Sequence, residues 1–161
     1  GDIVASKKLK FISKNLLHKN YLKIISKEEK PFLFNFVNKI LKNKRIIPKK
    51  QKGNHYYWPK LNADKDGKID WSWNVQDITL FIKGFSHPYN GAFSFIDKNM
   101  IKIFDAKFVK KKIFHPFQNG LIFKENMSEI FVAHSTGFII CRKNDLNPKK
   151  IQKNYLGKRF K

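Results

Sequence analysis

A chain of 161 residues can bury one modest core, or two small ones if its halves differ in character. It is 42% hydrophobic, with 16 Phe, 3 Trp and 5 Tyr spread along its length, which excludes a disordered polyelectrolyte. No apolar run approaches the roughly 20 residues of a membrane span, and residues 1–11 lack the apolar stretch and cleavage site of a signal peptide.

The net charge of +22 comes from 34 Lys and Arg against 12 Asp and Glu, and only Arg45, Arg142 and Arg159 are arginine. Two readings stay open. One is a solvated surface, supplied by an AT-rich coding sequence that also enriches Asn, Ile and Phe. The other is a polyanionic partner held through its phosphates. The scatter of the lysines, and the shortage of the side chain that grips phosphate bidentately, favour the first. The single cysteine, Cys141, cannot form an internal disulfide and has no metal-ligand partner at useful spacing, so a reducing cytoplasm suits it.

Residues 3–12 alternate loosely and predict a strand. Leu17, Tyr21, Ile24 and Ile25 share one helical face. Pro31 interrupts and is tolerated at the start of a new helix or turn. Leu33, Phe36, Val37, Ile40 and Leu41 then repeat the stripe. Strand, helix, helix is a pattern that closes an α/β domain. Residues 42–69 have the Pro, Gly and charge content of a linker, yet His55-Tyr56-Tyr57-Trp58 inside them is aromatic enough to pack back on a domain. Asp64-Lys65-Asp66-Gly67 supplies a turn; a calcium loop would need further oxygen ligands and a closing glutamate that do not follow.

Ser72 or Asn74 can cap the next helix, with Asp77 in its first turn and Val75, Ile78, Phe81, Ile82 and Phe85 as its buried face. From Gly91 the period becomes two. Phe93/Phe95, Ile101/Ile103, Ile130/Val132 and Phe138/Ile140 alternate, and turn sequences 97–99, 118–120 and 135–137 separate them. Residues 92–142 therefore predict a β unit of about five strands, in the size range of an OB-like barrel. Its aromatics show no cluster of the kind a base-stacking platform needs. Asn144–Lys161 is basic and weakly patterned, ending in Gly157-Lys158-Arg159-Phe160 as a last strand or a tail.

Three pieces in order carry a resemblance. They are Gly1-Asp2-Ile3-Val4-Ala5, then Ile69-Asp70-Trp71-Ser72 with Pro88-Tyr89-Asn90-Gly91-Ala92-Phe93, and then Ile101-Lys102-Ile103-Phe104-Asp105-Ala106 with the Gly-Lys-Arg-Phe ending. Together they resemble the C-terminal half of the 10-formyltetrahydrofolate-dependent formyltransferases, from the end of the catalytic domain through the hinge to the C-terminal domain. Asn90, where a proline is usual, and Lys83-Gly84, where Arg-Ala is usual, depart from that pattern.

The resemblance implies an α/β remnant over 1–50, the end of a Rossmann-like formyltransferase domain. A linker over 51–70 follows, then a hinge helix and OB-like barrel over 71–161. It implies attack of an acceptor amine on the formyl carbon of 10-formyltetrahydrofolate, with an Asn-x-His motif and an aspartate stabilising the oxyanion and moving the proton. No catalytic residue is assigned within the chain. The aspartate is expected upstream of Gly1, and Asp2 matches only a loop-shaping acidic position. Cofactor-binding and substrate-binding residues stay unassigned, and no metal is implied.

The expected acceptor is an amine on a nucleotide-linked amino sugar. Initiator methionyl-tRNA is the alternative, and a free-standing RNA-binding OB-like module the third reading. Trp71, Trp73 and Cys141 are expected in the core, His87 at a helix end in a capping or packing role, and His18, His55, His115 and His134 as surface or packing residues.

Overall fold

The computed structural model describes residues 1–11, 17–54, 56–111, 113–147 and 154–161. The chain divides into two compact units, Gly1–Lys14 with Asn20–Lys60, and Asn15–Lys19 with Leu61–Lys161.

In the first unit the dominant element is α1, His18–Leu41, a single helix with Pro31 inside it. The expected break at Pro31 does not occur. A proline forfeits one backbone hydrogen bond at about 3 kcal/mol, and the Lys, Glu, Leu and Phe on both sides propagate the helix across it. The helix stops in a Schellman arrangement at Asn43, whose φ is 50°. There the Lys44 N–H reaches the Lys39 carbonyl at 3.0 Å and the Asn43 N–H the Ile40 carbonyl at 2.9 Å. No α1 residue is buried.

The strand expected over 3–12 is absent among the described residues, and Ile12 lies outside them. What forms is one antiparallel bridge, Ile3 to Lys49, closed by hydrogen bonds of 2.8 and 2.9 Å. Lys7 interrupts the face that carries Ile3, Ala5, Leu9 and Phe11, so no continuous apolar face extends the ladder. The aromatic run is not packed either: Tyr57 is 89% and Trp58 84% exposed. Among the described residues, neither helix nor strand includes 50–54 or 56–60 to hold those rings against a surface; His55 lies outside the described residues.

The second unit holds the whole described core. One helical turn, α2, Ala63–Asp66, is capped by Asn62, whose side-chain oxygen accepts from the Asp64 and Lys65 N–H groups. It forms the turn expected there. Helix α3 runs Val75–Gly84 with Asn74 as its cap. Its buried residues are Val75, Ile78, Thr79 and Ile82, with Phe81 packed against the same core and Phe85 buried just beyond its end. Thr79 joins the buried face because its hydroxyl donates to the Val75 carbonyl at 2.7 Å.

Seven strands follow among the described residues: six within 92–142, where about five are expected, and β7 just beyond. β1 (Ala92–Ile96), β2 (Asn99–Ile103) and β7 (Leu146–Asn147) form one antiparallel sheet in the order β1-β2-β7. β3 (Lys107–Val109), β4 (Ile122–Glu125), β5 (Glu129–His134) and β6 (Gly137–Arg142) form a second, in the order β3-β6-β5-β4. The extra strands are β3 and β7, whose three and two residues are too short to show a period. Helix α3 packs against β1, β3 and β6.

Among the described residues the two sheets do not close into the expected barrel. They are linked instead through the last residues, where Phe160 bridges to Ile96 of the first sheet and Arg159 to Leu121 beside the second. Glu125 anchors the returning chain. Its carboxylate accepts from the Tyr155 N–H at 2.6 Å, the Leu156 N–H at 3.0 Å and Lys143 Nζ. Burial alone would raise its pKa, but the Lys143 ammonium and the two N–H groups outweigh that and hold it below the usual carboxylate range. The fold is a mixture of helix and antiparallel sheet, with the core enclosed in the second unit.

Candidate functional site around the hinge

The segment Lys68–Asn74 leads into α3, and nearly every group in it is fixed. The Ile69 N–H donates to the Phe93 carbonyl at 2.8 Å and the Phe93 N–H to the Gly67 carbonyl at 2.7 Å, which makes the segment a short parallel neighbour of β1. Asp70 closes an Asx turn by accepting from the Ser72 N–H at 2.8 Å. The Ser72 hydrogen bonds, and lesser help from Lys68, hold the Asp70 carboxyl below its ordinary range. Trp71 is core, as expected: its ring stacks on Phe160 at 5.2 Å and its indole N–H donates to Ser94 Oγ at 2.9 Å. Trp73 is not core, contrary to expectation: it is 38% exposed, with its ring edge-on to Phe81 at 5.1 Å.

A buried histidine is the centre of this network, and its neighbours in sequence give no hint of it. His134, 1% exposed, places Nε2 3.0 Å from the Trp71 carbonyl. Its Nδ1 accepts from the Thr136 N–H at 3.1 Å, which fixes Nε2 as the protonated nitrogen. Thr136 Oγ1 accepts in turn from the Val75 N–H at 3.1 Å, at the first residue of α3. Asn119 completes the set, donating to the Trp71 carbonyl at 3.0 Å while its side-chain oxygen accepts from the Ser135 N–H at 2.9 Å. Burial depresses the His134 pKa, against the opposing pull of the Trp71 and Trp73 carbonyls, so the ring is neutral near pH 7. The β5–β6 turn thus clamps both the Trp71 carbonyl and the start of α3. Such a network positions a segment; it offers no accessible nucleophile or base.

The Pro-aromatic-x-Gly-Ala exit is explained equally locally. Gly91 has φ 84°, and a Cβ there would come within 3.1 Å of the Phe104 ring. Its N–H returns to the Phe85 carbonyl at 3.0 Å, and Ala92 starts β1 fully buried. His87 stacks flat on Phe104 at 4.5 Å, a packing role at the surface. His115 caps the 3-10 helix Pro116–Gln118. Cys141 is buried and free, its thiol pushed up to about 12 by burial and by Asp145 and Asp105, which makes it inert.

Two open clefts flank the clamped segment. One, of about 390 Å³, is lined by Asn74, Val75, Gln76, Lys110, Lys111 and Thr136. The other, of about 400 Å³, is lined by Lys68, Ile69, Asp70, Trp71, Ser72, Phe160 and Lys161. Both carry two lysines beside a mixed polar and apolar lining, and the second also holds the Asp70 carboxylate. Among the described residues no group of three or more His, Cys, Asp or Glu could hold a metal ion, and no helix is long and apolar enough to cross a membrane.

The sequence agrees with this geometry. Residues 62–155 match the family model described as formyl transferase, C-terminal domain. The methionyl-tRNA formyltransferase of Clostridium tetani is 30% identical over 105 residues, covering 65% of this chain and 33% of that protein. The enzyme of the same name from Citrifermentans bemidjiense is 29% identical over 105 residues, covering 65% and 31%. That of Geotalea uraniireducens is 33% identical over 94 residues, covering 58% and 28%. The chain thus spans about a third of the length of the curated relatives it matches. All three of these relatives are named for methionyl-tRNA, and none for an amino sugar. The hinge, the capped helix α3 and the antiparallel unit behind it are those of a formyltransferase C-terminal domain, and the chain belongs to that family.

Proposed function

We propose that this chain is the acceptor-binding part of a methionyl-tRNA formyltransferase, which moves a formyl group from 10-formyltetrahydrofolate to the amine of initiator methionyl-tRNA. The match of residues 62–155 to the formyl transferase C-terminal domain, with relatives that carry the methionyl-tRNA name, is the observation that carries this reading. The lysine-lined clefts beside the hinge support it, since tRNA is a polyanion and a nucleotide-linked sugar offers far fewer phosphates. The reacting groups, and the residues that hold the folate, are assigned to sequence outside this chain. Residues 1–50 are read as the end of that catalytic part. Within the chain the clamp on Trp71 would fix the segment that leads into α3.

The test is formylation by the native protein that contains this chain, supplied with 10-formyltetrahydrofolate and offered methionyl-tRNA and a nucleotide-linked amino sugar in parallel. Formyl transfer to methionyl-tRNA is expected. Transfer confined to the sugar would overturn the reading.

A further inference from the structure

Which apolar residues of the four-stranded sheet face solvent is decided by its register. In β6 the core takes Ile139 and Cys141, and in β5 it takes Ile130 and Val132. The alternate residues, Phe138 and Phe131, therefore lie on the outer face. A bulge in β4 between Ile122 and Lys124 adds Phe123 to the same face, with Lys124 paired opposite Phe131. The Phe123 ring lies 5.8 Å from Phe138 and 6.3 Å from Phe131, and Phe114 closes on it at 4.7 Å. All four rings are half-exposed, so the stacking cluster not expected from the sequence is present on this face.

We propose that the outer face of this sheet binds unpaired nucleotides of an RNA, stacking bases on Phe123, Phe131 and Phe138 while Lys107 and Lys124 take the flanking phosphates. Half-exposed phenylalanines gathered on a solvent face mark an interaction surface. The charges around them choose the occupant. Lys107 sits opposite Ile140 at one edge, and Lys124 Nζ lies 5.0 Å over the Phe131 ring. The only carboxylate of β5, Glu129, is paired opposite Arg142. An apolar protein partner would have to desolvate those ammonium groups, whereas a nucleic acid supplies a phosphate and a π-face at every step. A duplex keeps its bases stacked and offers only phosphates, so the rings select a loop or single strand. The proposal rests on the RNA-partner reading above and adds a contact that charge alone does not require.

The experiment measures binding of the full chain to a labelled, unstructured RNA of about 12 nucleotides, within the span of such sites, and to a duplex with the same number of phosphates. Preference for the single strand is expected. Phe131→Leu with Phe138→Leu should weaken single-strand binding roughly thirtyfold or more, because two stacks are lost and each stacked base contributes on the order of 1–3 kcal/mol, and leave the salt slope unchanged. Lys107→Gln with Lys124→Gln should instead lower that slope by roughly 1.4, at about 0.7 per contact on single strands. Equal affinity for duplex and single strand, or undiminished binding by the phenylalanine variant, would overturn the proposal. So would self-association of the wild type that this variant abolishes, which would identify a second copy as the occupant. Should the variant fail to fold, crosslinking of the wild type to a 4-thiouridine RNA decides: adducts within residues 121–142 support the proposal, and adducts confined to residues 1–60 overturn it. Formylation of methionyl-tRNA by the native protein, with binding unchanged in the phenylalanine variant, would sink this inference and leave the acceptor reading intact. Loss of binding in that variant, without formylation of tRNA, would do the reverse.

Discussion

The two units of this chain share a composition and differ in what they do with it. In the second, Ile130, Ile139, Ile101 and Ile103 are fully buried, and every strand gives one face to the core. In the first, α1 carries Leu33, Phe34, Val37, Ile40 and Leu41 with 47 to 73% of each exposed. Helical spacing of apolar residues therefore specifies a helix without specifying what covers it. A core needs a second layer, and only the antiparallel unit contains both of its own.

Limited proteolysis should expose this difference most sharply. Cleavage is expected before Gly53 first, leaving a resistant fragment that starts near the hinge, and preferential survival of residues 1–50 would break the comparison. Point mutations should follow the same line. Ile130→Ala is expected to cost about 2–5 kcal/mol, as other large core deletions do, while Phe34→Ala on α1 should fall within about 0.5 kcal/mol of wild type. Chemical denaturation followed through the near-UV signal of Trp71 measures both, and equal losses would show that α1 is packed after all.

How far the sequence leads also differs between the units. Helix α3, its Asn74 cap and its buried stripe follow from residue order, because a capped helix is a local object. The hairpin turns at Asp97 and at Ser135–Thr136 follow for the same reason. The facing of β6 does not. Phe138-Ile139-Ile140-Cys141 is apolar in both phases, so period two cannot say which pair enters the core, and the structure buries Ile139 and Cys141. The phenylalanine cluster was hidden by that ambiguity and by the β4 bulge. The role of His134 was hidden by distance, since its partner Trp71 lies 63 residues away. Lysine runs left residues 1–10 and 50–60 without any long-range signal in the sequence.

The next effect in size concerns the closing segment, residues 157–161. Gly120 has φ 81°, and a Cβ there would lie 2.6 Å from the Phe160 carbonyl oxygen. Gly120→Ala combines that collision with a left-handed backbone, so a loss of about 1–3 kcal/mol is expected, with detachment of residues 157–161 from Leu121. A shift in the Trp71 fluorescence should report it, because Trp71 stacks on Phe160. A variant as stable as wild type would mean that the bridged segment 157–161 adds nothing to the second unit.

Acid should act on the second unit through His134. Its pKa is depressed in the folded protein by burial and returns to about 6.5 when unfolded. The unfolded chain therefore binds more protons at low pH. The histidine's contribution is present above its ordinary pKa and is lost as pH falls through the folded value. Stability measured from pH 7 downward should decline in this window, and His134→Gln should flatten that part of the slope while lowering the plateau. An unchanged slope in the variant would remove His134 from the clamp.

The smallest effect tests the idea that only the second unit has a fold to stabilise. Gly84 ends α3 in open space: a Cβ there meets nothing within 4 Å, and its φ is not in the left-handed range. Alanine at this position restricts the unfolded chain and disturbs no native contact, so Gly84→Ala should raise stability by about 0.4–1 kcal/mol. Gly53 also faces open space, but it has φ 111° and lies in irregular backbone of the first unit. Alanine there is strained locally, yet no cooperative core depends on that turn. The Trp71 transition should therefore rise with Gly84→Ala and stay in place with Gly53→Ala. A fall of that transition in the Gly53 variant would show the first unit unfolding together with the second, and the contrast between them would fail.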